Sequence, residues 1–151
     1  MQKLKIRRAE IGDLERLSGL FDDYRVFYGK LPDREGAKTF LFDRLRYEES
    51  VIFVAASAGD VLVGFVQLYP LFSSTRMDRL WLLNDLYVEL RYRGKGVATQ
   101  LIEATKQLCR QTGSCGLLLE TAKDNDPANG LYLSTGFNLD VDHHYYTWNV
   151  E

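Results

Sequence analysis

The residues best suited to chemistry lie in Leu86-Tyr87-Val88-Glu89-Leu90-Arg91-Tyr92-Arg93-Gly94-Lys95-Gly96-Val97-Ala98-Thr99, where an apolar run ends, two glycines turn the chain and a helical pattern begins. The first N–H groups of a helix lack intrahelical acceptors, the helix dipole is positive there, and glycines let a ligand approach the main chain closely. With Arg91, Arg93 and Lys95 alongside, the segment suits a phosphate or pyrophosphate. The alternative is a glycine turn kept for its tight geometry alone. Two nucleotide-binding patterns fail. Gly94-x-Gly96 opens a helix and Glu120 lies about where a ribose-binding acid would end the next strand. Thr99, however, replaces the third glycine, and the 31 residues after Glu120 are too few for a second mononucleotide half. No Gly-x-x-x-x-Gly-Lys-Ser/Thr occurs, which excludes a P-loop.

The elements that must position this turn follow from periodicity. Leu4, Ile6 and Arg8 alternate with Lys5 and Arg7 as a short strand, after which Asp13 can cap a helix carrying Leu14, Leu17, Leu20, Phe21, Tyr24, Phe27 and Tyr28. Pro32-Asp33 opens a second helix with Ala37, Phe40, Leu41 and Leu45. Val51 to Ala56 and Val61 to Tyr69 are β-rich runs joined by Ala58-Gly59-Asp60, a hairpin signal, and Leu80 to Val88 is long enough for a central strand. A helix over Gly94 to Thr112 stops at Gly113. Cys115 to Thr121 reads as a buried strand, Asp126-Pro127 as the cap and first position of a short helix closed by Gly136, and Phe137 to Val150 as a terminal strand. The predicted order is β-α-α-β-β-β-α-β-α-β: a mixed α/β sheet of six or seven strands flanked by four helices.

Size and charge bound the rest. A chain of 151 residues with 46% hydrophobic content and no repeat or linker predicts a single domain over residues 1–151, which at this length buries roughly 68–70% of its unfolded surface. Cys109 and Cys115 cannot make a disulfide framework or a four-ligand zinc site and are expected as buried thiols. The longest apolar stretch, Val51 to Ala56, is too short for a membrane span, and Met1 to Glu10 lacks the apolar core of a leader, so a cytoplasmic protein without a membrane partner is expected. Net charge −2 argues against a nucleic-acid partner. Charge is unevenly spread. Arg76 to Lys95 holds five bases against three acids, while Lys123 is the last basic residue and Asp124, Asp126, Asp140, Asp142 and Glu151 follow it. This distribution fits one anionic and one cationic partner, or a chance scatter of solvated charges. His143-His144 are adjacent on an expected strand and face opposite ways, so no metal site is expected.

With these residues in view, the sequence resembles the GNAT superfamily of N-acetyltransferases. The family's acyl-CoA motif, Arg or Gln, two residues, Gly, one residue, Gly or Ala, is matched by Arg93-Gly94-Lys95-Gly96-Val97-Ala98. Asn125, Ala128, Leu131-Tyr132 and Gly136-Phe137 resemble the downstream Asn-x-x-Ala…Leu-Tyr-x-x-x-Gly-Phe block. Leu83-Asn84-Asp85-Leu86-Tyr87-Val88 and Asp23-Tyr24-Arg25-x-Phe27-Tyr28 are similar to a branch with polyamine and histone-type acetyltransferases. The resemblance implies a GNAT-like fold and acetyl-CoA as cosubstrate. Backbone amides from Arg93, Gly94, Lys95, Gly96, Val97, Ala98 and Thr99 would hold the pyrophosphate, the edge at Leu86, Tyr87 and Val88 would pair with pantetheine, and Asn125 would hydrogen-bond the cofactor.

The implied chemistry is direct attack of a primary amine on the thioester in a ternary complex, with a strand amide near Val88 stabilising the oxyanion. An amine with pKa near ~10.4 needs a proton acceptor, for which Asp85 and Glu120 are the candidates. Asn84 stands where related polyamine enzymes place a glutamate. The resemblance sets Tyr132 beside the sulfur, where a phenol can protonate the departing thiolate. Tyr24, Phe27 and Tyr28 are candidate walls of the acceptor pocket, or core residues. The implied activity is acetylation of a small cationic amine such as a polyamine or amino-acid derivative. A protein lysine or N-terminus is the rival within enzymes, a non-catalytic acyl-CoA-binding module the rival outside them. The histone-type resemblance implies a homodimer, with the terminal strand free to pair with another chain.

Overall fold

The computed structural model describes residues 3–151; Met1 and Gln2, the start of the segment expected to lack a leader's apolar core, lie outside the described residues. The chain divides into two compact units, one ending at Glu120 and the other Thr121–Glu151.

In the first unit, strands β1 (Lys5–Arg8), β2 (Val51–Ala56), β3 (Leu62–Ser73), β4 (Asp78–Val88) and β5 (Leu117–Leu118) form one sheet in the order β1-β2-β3-β4-β5. The first four are antiparallel and β5 runs parallel to β4. Helix α1 (Leu14–Phe27) buries Leu17, Leu20 and Phe21, the i, i+3, i+4 stripe of its sequence. It shares a core with Ala37 and Leu41 of α2 (Arg34–Arg46) and with Ile52, Val54 and Phe65 of the sheet. Asp33 caps α2, its carboxylate accepting from Gly36 N at 2.9 Å. Helix α3 (Val97–Gln111) buries Val97, Leu101, Ile102, Leu108 and Cys109, and Gly113, with φ +64°, turns the chain at its C-terminal end. Gly64 shows how closely α3 approaches: a Cβ there would sit 3.0 Å from the Tyr87 carbonyl oxygen and 3.3 Å from Leu101 Cδ1. Since Gly64 and Phe65 face opposite sides of β3, α3 covers the face opposite α1 and α2.

The second unit holds α4 (Asp126–Ser134). Its N-cap is Asn125, whose Oδ1 accepts from Ala128 N at 3.3 Å, so the cap lies one residue before the expected Asp126. Asn and Asp cap about equally well, and the tandem leaves the choice to the chain's approach.

Element order follows the expectation through α4. Six or seven strands were expected and five form among the described residues. Phe137 to Val150 carries no strand, and Leu139, Val141, Tyr145, Tyr146, Trp148 and Val150 along it are exposed. Their β propensity measures fit to a pleated neighbour and cannot make a strand without one. Cys115 to Thr121 contributes only Leu117–Leu118, and Cys115 is half-buried where burial was expected; Cys109 is buried, which raises its thiol pKa. Asp13 stands at the head of α1 yet makes no side-chain cap bond. Its buried carboxylate instead accepts from both Arg7 Nη atoms at 2.8 Å, from Arg16 Nη2 at 2.7 Å and from Glu10 N at 2.8 Å. The paired Arg7 guanidinium leads the causes that lower its pKa from 3.8 to about 2.

Two measurements check this account. Gly64→Ala must push α3 or the β3–β4 pair apart and is expected to cost roughly 1–3 kcal/mol in urea unfolding; unchanged stability would contradict the close approach. Because Asp13 has a lowered folded pKa, its contribution is complete above pH ~4 and lost as the pH falls towards ~2, on the order of 2 kcal/mol. The stability gap between wild type and Asp13→Asn should therefore narrow over that window; a constant gap would rule the linkage out.

Candidate active site

Strand β4 organises the first unit's chemistry. Its register on β3 pairs Gln67 with Asp85 and Leu68 with Leu83, so Asn84 is the extra residue of a β-bulge. Pairing with β5 covers only Trp81–Leu117 and Leu82–Leu118. Past Leu82 the β5 side of β4 has no strand partner among the described residues. Glu89 N donates to Val63 O at 2.8 Å, and antiparallel alternation then turns the Tyr87 amide and carbonyl towards β3 and those of Leu86 and Val88 to the open edge. That edge can receive an extended ligand, and the Val88 N–H there is an available oxyanion donor.

The edge leads into the glycine turn. Gly94 and Gly96 adopt φ +70° and +78°, left-handed conformations that favour glycine, and open space surrounds both. Gly96 is the N-cap of α3, so the N–H groups of Val97, Ala98 and Thr99 begin the helix without intrahelical acceptors. What this turn can offer an anion is main-chain amides and the helix dipole. The three nearby cations are engaged differently. Arg91 pairs with Glu89 at 2.7 Å, and Lys95 Nζ donates to Arg91 O at 2.9 Å. Arg93 Nε donates to Val88 O at 2.8 Å, and its guanidinium lies 4.7 Å over Phe27 and 5.3 Å over Tyr87.

Asp85 and Tyr87, two apart beyond the bulge, share the face that α1 covers. Tyr24 packs edge-on against Phe65 at 5.7 Å, Tyr28 at 5.1 Å and Tyr87 at 6.1 Å. Tyr24 belongs with the core, whereas Phe27 and Tyr28 are more than half exposed. Burial, then Asp22 and Glu89, raise the Asp23 carboxyl pKa, and burial likewise raises that of the Tyr87 phenol. Asp85 itself is buried: Oδ2 accepts from Gln67 Nε2 at 2.8 Å and Oδ1 from Asn84 Nδ2 at 3.1 Å. Tyr69, next but one after Gln67, has its pKa raised to about 12 by burial and by the nearby Asp85.

The first unit thus brings together Asn84, Asp85, Leu86, Tyr87 and Val88, the turn Arg93 to Thr99, and Tyr24, Phe27 and Tyr28. Glu120 is exposed, two residues past β5. Asn125 and Tyr132 belong to the second unit, where the Tyr132 ring meets Phe137 edge-on at 5.7 Å and its carbonyl accepts from Phe137 N at 3.0 Å. His143 Nδ1 lies 2.7 Å from Asp140 Oδ2. Gln67 and Tyr69 escaped the sequence reading; the signal was a lone amide inside the apolar run Val61 to Tyr69.

An open strand edge running into a glycine-turned helix start, with a buried carboxylate on the strand, is the arrangement of an acyl-CoA-dependent acyltransferase. The profile of the acetyltransferase (GNAT) family matches residues 17–137, and the chain belongs to that family. It is 40% identical over 147 residues to the uncharacterized N-acetyltransferase YhfO of Bacillus subtilis (strain 168), covering 97% of this chain and 98% of the relative. A crystal structure described as a "probable acetyltransferase" superposes with TM-score 0.93 at 40% identity, covering 97% of this chain and 98% of the other. An aminoglycoside acetyltransferase from an uncultured soil metagenomic sample, solved with sisomicin, superposes with TM-score 0.77 at 27% identity, covering 97% of each chain. The protein is an acetyl-CoA-dependent N-acetyltransferase and moves an acetyl group to an amine. Among the described residues no helix is long and apolar enough to cross a membrane.

The packing of Arg93 over Phe27 and Tyr87 is open to test. Arg93→Ala should lower thermal stability by about 1–3 kcal/mol through loss of the Val88 hydrogen bond and two cation–π contacts. Arg93→Lys should recover only part, since an ammonium lacks the planar guanidinium fork. An alanine variant melting like wild type would refute this role.

Proposed function

We propose that the protein acetylates a primary amine of a small polycationic molecule, of polyamine or amino-acid-derived type, and that residues 1–151 act as one catalytic domain. The observation that carries the reading is the buried Asp85 carboxylate at the bulge of β4, on the face that α1 lines with Tyr24, Phe27 and Tyr28. Asp23, near Glu89 at that end, is a further carboxyl on this side. The structural relative solved with sisomicin binds a compound of this kind. An acceptor amine on a protein lysine or N-terminus is the second reading, favoured by the exposure of Phe27 and Tyr28.

The cosubstrate is acetyl-CoA. The amides of Val97, Ala98 and Thr99, with those of the turn from Arg93 to Gly96, take its pyrophosphate; the edge at Leu86 and Val88 takes the pantetheine, Tyr87 between them being turned to β3 where pairing with the cosubstrate was expected; Asn125 adds a hydrogen bond through the side-chain atoms its capping role leaves over. In the reaction the acceptor ammonium gives a proton to Asp85, with Glu120 as the alternative acceptor through water, and Asn84 borders the path. The freed nitrogen lone pair attacks the thioester carbon, the N–C bond forms, and the oxyanion meets the Val88 N–H. As the C–S bond breaks, the thiolate takes the Tyr132 phenolic proton; the second proton on the attacking nitrogen passes through water to the Tyr132 phenolate, and Asp85 releases its proton to solvent.

We further place the enzyme in the cytoplasm, where its two free cysteines suit a reducing medium. It acts there as a homodimer, formed through the β-rich segment after Gly136 with its exposed Tyr145, Tyr146 and Trp148.

Thiol release from acetyl-CoA over a panel of spermidine, sisomicin, lysine derivatives and basic peptides tests the assignment. Small polycations should have the highest kcat/KM; turnover confined to peptides would move the activity to protein amines. Tyr132→Phe should lower kcat by about a hundredfold with little change in acetyl-CoA affinity by calorimetry. Unchanged turnover would reject the phenol as the acid.

A further inference from the structure

Gln67 is fully buried in β3, and Ser50 and Asp85 beside it are buried too. Ser50 Oγ donates to Gln67 Oε1 at 2.9 Å, Gln67 Nε2 donates to Asp85 Oδ2 at 2.8 Å, and Asn84 Nδ2 donates to Asp85 Oδ1 at 3.1 Å. The chain of bonds crosses the sheet from the head of β2 through β3 to the bulge of β4. For core packing alone this is a poor choice, because an amide carries a desolvation cost that an apolar side chain of similar volume avoids. Its return lies in direction. An ionised carboxylate only accepts, so the amide must present Nε2 to Asp85 and Oε1 to Ser50, whose hydroxyl is then committed as donor. With one donor on each oxygen, Asp85 is held against rotation and keeps acceptor capacity for one more proton donor.

We propose that Gln67 is a positioning residue of the acetyl transfer: it fixes the Asp85 carboxylate in the orientation that receives the acceptor's proton, and the Ser50 hydroxyl fixes Gln67. This rests on Asp85 being the proton acceptor. The bulge gives the device its use, because the unpaired Asn84 bends the strand immediately before Asp85, and a side-chain clamp fixes the carboxylate where the ladder is interrupted. A 1 Å displacement of such a group is enough to cost much of the rate, so a buried clamp acts on kcat rather than on cofactor binding.

The test is a double-mutant cycle on the intact protein, run with the panel amine that turns over fastest. Gln67→Leu should lower kcat about tenfold or more while the KM for acetyl-CoA stays within about twofold. In the Asp85→Asn background the same change should cost nothing further, because nothing remains to position. Ser50→Ala should give a smaller loss in the same direction, restored by Ser50→Thr. If Gln67→Leu does not fold by near-ultraviolet circular dichroism, the cycle is run with Ser50→Ala. Nitrogen-15 NMR gives a readout without substrate: the Gln67 side-chain amide protons should exchange slowly in wild type and shift in both Asp85→Asn and Ser50→Ala. Additive losses, or Gln67→Leu with wild-type kcat, would overturn the positioning role while leaving Asp85 as the acceptor. Wild-type turnover by Asp85→Asn itself would overturn the acceptor reading and the clamp with it.

Discussion

Strand β4 is hydrogen-bonded to β3 from Asp78 to Val88 but to β5 only at Trp81 and Leu82, and this uneven pairing is the constraint on which the chemistry depends. Buried backbone groups must find partners, so a strand left half bare on one side needs a second source of hydrogen bonds. Part comes from the chain itself, through Arg93 Nε on the Val88 carbonyl. The remaining outward groups of Leu86 and Val88 suit the amides of an extended cosubstrate. The bulge at Asn84 lies where the two strands part, and a bulge bends its strand and increases the local twist. One extra residue therefore opens the edge and aims Asp85.

Arg93 changes how the glycine turn is understood. In sequence it stands with Arg91 and Lys95 as a third cation for a phosphate; in the structure its guanidinium lies on Phe27 and Tyr87. For the proposed pyrophosphate the turn thus offers mainly amides fixed by Gly94 and Gly96 at positive φ, a geometry that lends direction where mobile surface cations lend only charge. Arg93 instead ties the end of α1 to the end of β4. The aromatic end of α1 and the open end of β4 are held in register by one side chain.

What the sequence made legible follows from the range of the physics. Helical stripes such as Leu17, Leu20, Phe21 and the left-handed positions Gly94, Gly96 and Gly113 are dictated locally, and they were readable. The bulge was not, because Leu80 to Val88 is a continuous run and its register is set by β3. Nor was Gln67: a single amide in a strand reads as solvent-facing until Asp85 is known to lie opposite it. Phe137 to Val150 failed for the reverse reason, since its composition favours a strand but a strand exists only against a partner. Asp13 fits both patterns at once. Its position suits a helix cap, yet Arg7 on β1 and Arg16 on α1 reach it first, and two charge-assisted partners outweigh one cap.

The two buried carboxylates show how environment divides labour among like groups. Asp13 is surrounded by guanidinium groups, which hold it ionised and make it a structural anchor between β1 and α1. Asp85 has only neutral donors, the amides of Gln67 and Asn84, and no salt bridge among the described residues. Neutral donors orient a carboxylate without cancelling its charge, so the Asp85 carboxylate is left free for the proposed ammonium acceptor, whereas that of Asp13 is matched by Arg7. The same residue type thus anchors the fold at β1 and stands ready for the proposed proton transfer on β4, and the partners rather than the carboxylate decide which.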